Sequence, residues 1–117
     1  MDQATKERLQ NTNAQMRKGI LEFCIMLVID REESLYASDI IKALYDIDMI
    51  VVEGTIYPLL NRLKREEVLD YSWEESTSGP PRKYYHLTPA GKEMLKHLIT
   101  NWKSLSTSIR SLLSRHA

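Results

Sequence analysis

A chain of 117 residues fits one domain with a modest core, and its 16 basic and 16 acidic residues cancel. That balance excludes the strongly basic whole-chain charge that is the crude mark of a nucleic-acid binder. The single cysteine, Cys24, excludes an intrachain disulfide, and the apolar run from Phe23 to Ile29 falls far short of the roughly 20 residues of a membrane span.

The first segment, "MDQATKERLQ", is polar and helix-prone and lacks the pattern of a signal peptide, so a soluble cytoplasmic protein is expected. Residues 3–15 read as a polar helix with Ala4 and Leu9 on one side, leading to Met16. Residues 16–31, "MRKGILEFCIMLVIDR", form a second helical segment whose centre is apolar nearly all round, as in a helix buried on more than one side. "ASDIIKALYD", residues 37–46, is a short amphipathic helix with Ile40, Ile41 and Leu44 inward and Ser34 or Ser38 as its expected cap. A short connection leads to residues 53–66, where Ile56, Leu59, Leu60 and Leu63 recur at helical spacing. After Glu67 the period changes to two. "LDYSWEES" puts Leu69, Tyr71 and Trp73 on one half-buried face, "TSGPP" is a turn, and "RKYYHLT" returns as the second strand of a hairpin. Thr88 before Pro89 is a helix start with Thr as the cap. In the last helix Leu95, Leu98, Trp102, Leu105, Ile109 and Leu112 are spaced alternately three and four apart, a heptad seam. With so few helices in the chain, the seam predicts a second copy as partner. The expected fold is mainly α with a two-stranded β-hairpin wing: a winged helix-turn-helix plus a long C-terminal dimerisation helix. It divides into a polar extension (1–15), a winged-helix domain (16–88) and the dimerisation helix (89–117).

The helix at 53–66 leaves Thr55, Tyr57, Asn61, Arg62 and Lys64 facing away from its apolar stripe. Arg pairs bidentately with guanine and Asn with adenine, while Thr, Tyr and Lys more often hold phosphate. The same residues also suit a plain solvated face. Charge is distributed unevenly. Residues 21–53 carry two basic and eight acidic side chains, and residues 54–117 carry ten basic and six acidic, which permits a basic face on a neutral chain. Gly54 allows close approach to the helix start, and Pro58 costs one backbone hydrogen bond. His86, His97, His116 and Cys24 show no metal-ligand spacing, and no phosphate-loop, dinucleotide or nucleophile-elbow motif occurs. No enzyme, metal or cofactor is expected.

Three stretches, "EGTIYPLLNRL", "GPPRKYYHLT" and "TPAGKEML", together with "MRKGILEFCIMLVI", "ASDIIKAL" and "NWKSL", resemble the PadR family of bacterial winged-helix transcriptional regulators over about Met16 to Trp102. The single C-terminal helix is similar to the short branch of that family, which includes a drug-sensing multidrug regulator. The resemblance implies a homodimer that binds double-stranded operator DNA, usually as a repressor, with helix 53–66 in the major groove and the wing on the backbone. It adds Arg82 and Lys83 at the wing base to the DNA-contact set, and Lys18 and Tyr36 with Ser38, near helix starts, are further candidates for backbone contacts. It implies that the first helix, through Ile20 and Leu27, pairs alongside the heptad seam. It also implies a small aromatic effector at Trp102, with Phe23 and Met26 sharing the pocket. The family commonly has Gly where this chain has Glu67 or Val68, so here a non-Gly residue must close the recognition helix. Glu66, Glu67, Glu74 and Glu75 put acid near that surface. Two other readings fit the neutral charge: a dimeric winged-helix protein-interaction module, and a small-molecule carrier whose heads no longer bind DNA. Steep salt dependence of duplex binding separates the first reading from both.

Overall fold

The computed structural model describes residues 1–76 and 78–115; His116 and the Thr77 position of the predicted turn lie outside them. The chain opens with one helix, α1 (Gln3–Glu32), where the sequence suggests two. No proline or glycine pair interrupts residues 15–16, so the helix continues. Asp2 starts it: its carboxylate accepts the Thr5 backbone N–H at 2.7 Å, and the Thr5 side chain, with that backbone bond, holds the carboxyl below its ordinary pKa. Residues 3–19 of α1 are exposed, and burial begins at Ile20 and Leu21.

A two-residue strand, β1 (Leu35–Tyr36), runs directly into α2 (Ala37–Asp46). The N-cap of α2 is therefore Tyr36, without a side-chain cap, and neither Ser34 nor Ser38 serves as one. α3 (Glu53–Arg65) follows, then β2 (Leu69–Ser76), β3 (Gly79–Leu87) and α4 (Pro89–Ser114). The strands form an antiparallel sheet in the order β1-β3-β2, so the expected two-stranded wing has a third strand at its base. Leu69 pairs with Leu87, Tyr71 with Tyr85 and Trp73 with Lys83, and Leu35 lies against Tyr85 from the other side.

One core joins all of these. Ile25, Met26 and Ile29 of α1, Ile40 and Leu44 of α2, Ile56, Leu60 and Leu63 of α3, Leu69, Tyr85 and Leu87 of the sheet, and Leu95 of α4 are all buried. Each large aliphatic side chain so buried contributes roughly 2 kcal/mol. The apolar centre of α1 is the middle of this head. The result is the winged-helix architecture: mainly helical, with a helix-turn-helix (α2–α3), a hairpin wing (β2–β3) and a long C-terminal helix.

The heptad seam divides at the head. Leu95 is 3% exposed and packs into the head's own core, which removes it from the predicted pairing surface. Leu98 is half-buried against the same core. Beyond it Trp102, Leu105, Ile109, Leu112 and the neighbouring Leu113 are 42–61% exposed along the projecting end of α4. Ile20 and Leu27 of α1 are half-buried.

Candidate nucleic-acid interface

The exposed side of α3 carries Thr55, Tyr57 and Asn61, held outward because Ile56, Leu60 and Leu63 occupy the core. Pro58 lies inside the helix and supplies no N–H for the Gly54 carbonyl; a Cβ at Gly54 would meet nothing within 4 Å. The end of α3 is closed by the Val68 N–H on the Leu63 carbonyl (2.9 Å) and the Glu67 N–H on the Lys64 carbonyl (3.1 Å). That pair of bonds is a Schellman closure, and its left-handed position belongs to Glu67, at φ 62°.

Two cations of α3 are not free. The Arg62 guanidinium pairs with Glu22 of α1 and with Glu66, one turn on (3.3 Å). Lys64 lies 3.6 Å from Asp70 and 5.8 Å from the Tyr71 ring. The Tyr71 backbone N–H, donating to Asp70 at 2.8 Å, is the main cause that lowers the Asp70 pKa, with Lys64 adding to it.

Between α3, the start of α2 and the wing lies a concavity of about 280 Å³. Tyr36, Ser38, Tyr57, Arg82 and Lys83, five of the residues expected at DNA, line it together. Arg82 donates to the Ser38 hydroxyl, and its guanidinium stands 4.0 Å over the Tyr36 ring. Lys83 stands 4.6 Å over Tyr71 and 5.6 Å over Trp73. The alternation from Leu69 predicts Trp73 on a half-buried strand face. The structure puts it 61% exposed at this concavity, because β2 runs beyond the core after Tyr71. The register places it opposite Lys83.

Lys18 lies apart from this cluster. With Leu21, Ile50, Val52, Thr55 and Leu59 it lines a mainly apolar groove of about 600 Å³ between α1 and α3. Of the effector candidates, Phe23 and Trp102 meet at 6.2 Å between ring centroids. Met26 is 1% exposed and sits in the head's core, so it offers no surface to a ligand there. Cys24 is half-buried, and burial pushes its thiol pKa up, away from reactivity. Among the described residues, no three His, Cys, Asp or Glu side chains converge as a metal site would need, and no helix is long and apolar enough to cross a membrane.

Comparison with known proteins agrees with this architecture. Residues 25–97 match the family described as the transcriptional regulator PadR-like family. A PadR-like transcription factor from Bacteroides fragilis, of known structure, is 53% identical, covering 87% of this chain and 98% of its own, with a TM-score of 0.74. A PadR-like transcriptional regulator from Bacillus cereus is 39% identical over 85% of this chain and 96% of its own, also at a TM-score of 0.74. A protein of Lysinibacillus sphaericus described only as uncharacterized is 32% identical over 59 residues; the match spans half of this chain and 54% of that protein's length. With the family match covering most of the head, this chain belongs to the PadR-like family of transcriptional regulators.

Proposed function

We propose that the protein is a cytoplasmic, homodimeric, ligand-responsive repressor that binds a near-palindromic operator. One observation carries the reading: Tyr57 on the outward side of α3 and the wing cations Arg82 and Lys83 border one concavity, with no described acidic side chain in its lining. A helix whose outer face carries Thr55, Tyr57 and Asn61 fits a major groove, while Arg82 and Lys83 suit the flanking phosphates. Residues 16–88 form the DNA-binding head, and residues 89–117 pair two heads through Trp102, Leu105, Ile109 and Leu112, with Ile20 and Leu27 alongside. The exposed apolar run on α4 supports that pairing, since a monomer would leave it in water. Residues 1–15 extend from the head.

The response to ligand rests on Phe23 and Trp102, whose rings meet where α4 leaves the head. A flat aromatic molecule stacked there would alter the angle between the heads. Trp102→Ala removes the ring and should abolish inducer response; an unchanged response would sink the ligand reading.

The test of the main reading is fluorescence-anisotropy titration with the duplex upstream of the protein's own gene, against a scrambled duplex, at several salt concentrations. Preferential binding that weakens steeply with salt, and is lost in Asn61→Ala/Arg62→Ala, is expected. No binding even at low salt would leave a dimeric protein-interaction module in its place.

A further inference from the structure

Trp73 stands in the middle of β2, yet keeps 61% of its surface in solvent. The strand register sets it beside Lys83, its indole meets the Tyr71 ring edge-on at 5.8 Å, and the Lys83 ammonium lies over both rings. The attraction between ammonium and ring faces fixes the cation and the indole relative to each other. Across the concavity stand Tyr57 of α3 and Ser38 of α2. Trp73 is therefore its wing-side wall. Glu74 is in register with Arg82, but neither it nor any other described carboxylate lines the space.

A helix in a major groove with a wing beside it leaves one thing between them, the sugar-phosphate strand that separates the major groove from the minor. That strand alternates anionic phosphate with the largely apolar C–H surface of deoxyribose. The concavity presents the complement of both: cations and hydroxyls for the phosphate, and an indole face for the sugar. We propose that Trp73 packs against a deoxyribose of the strand crossing between α3 and the wing, with Lys83 on the adjoining phosphate. Trp73 is then an apolar, sequence-independent DNA contact. This inference rests on the regulator reading and names a residue that reading does not use.

Apolar and ionic contacts separate by salt. Each phosphate neutralised by a cation steepens the fall of log affinity with log salt by about 0.9, and an apolar contact adds nothing to that slope. The experiment is an anisotropy titration of the full chain with a mixed-sequence duplex long enough for two heads, across a salt series, alongside thermal melting of each variant. Trp73→Ala should weaken binding roughly tenfold to a hundredfold, as two apolar indole–sugar contacts per dimer are lost, with the slope and the melting temperature unchanged. Trp73→Phe, which keeps a flat apolar face, should recover most of the loss. Lys83→Ala should weaken binding and also flatten the slope by about 2 per dimer. Binding by Trp73→Ala equal to the wild type overturns the proposal, as does a loss whose salt slope flattens like that of Lys83→Ala. A wild type with no salt-sensitive duplex binding overturns the regulator reading together with this one.

Discussion

Two residues at the junction between α3 and the wing carry the local energetics. Glu67 holds the left-handed position of the α3 closure at φ 62°, a conformation that costs a residue with a Cβ about 1–2 kcal/mol. What keeps it there is the junction itself. The Thr88 hydroxyl donates to the Glu67 carbonyl at 2.6 Å and lies 3.2 Å from that of Val68, while accepting the Gly91 N–H as the cap of α4. Glu67→Gly should therefore stabilise the fold by about 0.5–1 kcal/mol, the relief of strain less the added chain entropy, read as a higher urea midpoint with unchanged m. A lower midpoint would mean that the Glu67 side chain contributes more than its backbone costs. Gly91 is the opposite case. It is buried, and a Cβ there would stand 2.1 Å from the Val68 carbonyl oxygen, which belongs to backbone and cannot swing away. Gly91→Ala should cost on the order of 3 kcal/mol by forcing α4 off the β2 junction, despite alanine's better helix propensity. A melting temperature within a degree or two of wild type would disprove that close approach.

At the scale of elements, the periodic stretches could be read from the sequence and the shortest ones could not. α2, α3, the hairpin and α4 announce themselves through Ile40 and Leu44, Ile56 to Leu63, the alternation from Leu69, and Thr88-Pro89. β1 has two residues, too short for any period, and exists because Leu35 and Tyr36 find β3 across the fold. The same pairing cancels the serine cap expected for α2. The heptad in α4 is real as a pattern, but its spacing does not say where the head ends; Leu95 belongs to the head, and the open stripe begins near Trp102. For the site, residue types on α3 could be chosen from the helical face. Their partners could not, because Glu22 lies 40 positions from Arg62 and meets it only where the fold brings α1 beside α3. The open stripe makes its own prediction. Leu105→Glu/Ile109→Glu puts two carboxylates per chain where pairing would bury them, which costs several kcal/mol for an interface of this kind. Sedimentation should show a monomer with wild-type far-UV circular dichroism and operator affinity lower by at least about tenfold, since one head has lost its tethered twin. A variant that still sediments as the wild type does would remove α4 from the pairing surface.

Over the whole molecule, α1 packs on α2, α4 and β3, and two adjacent residues on it face different neighbours. Glu22 pairs with Arg62 of α3, and Phe23 meets Trp102 of α4. The chain's zero net charge is thus spent locally: one of the cations on α3 is neutralised by the acidic middle segment. Arg62 faces two carboxylates, Glu22 and Glu66, and its side chain is only 37% exposed, so a phosphate approaching it meets a site that is negative overall. Glu22→Gln changes that balance without changing shape. It should cost about 0.5–1 kcal/mol of stability for a half-exposed pair. It should also tighten duplex binding on the order of fivefold at low salt, because one repelling charge per head is gone and Arg62 is released toward the groove. The gain should fade as salt rises past the screening range, which anisotropy titrations across a salt series would show. If affinity instead falls, the ion pair is what aims Arg62 at DNA. Glu22 would then be a positioning residue, holding the guanidinium from the α1 side.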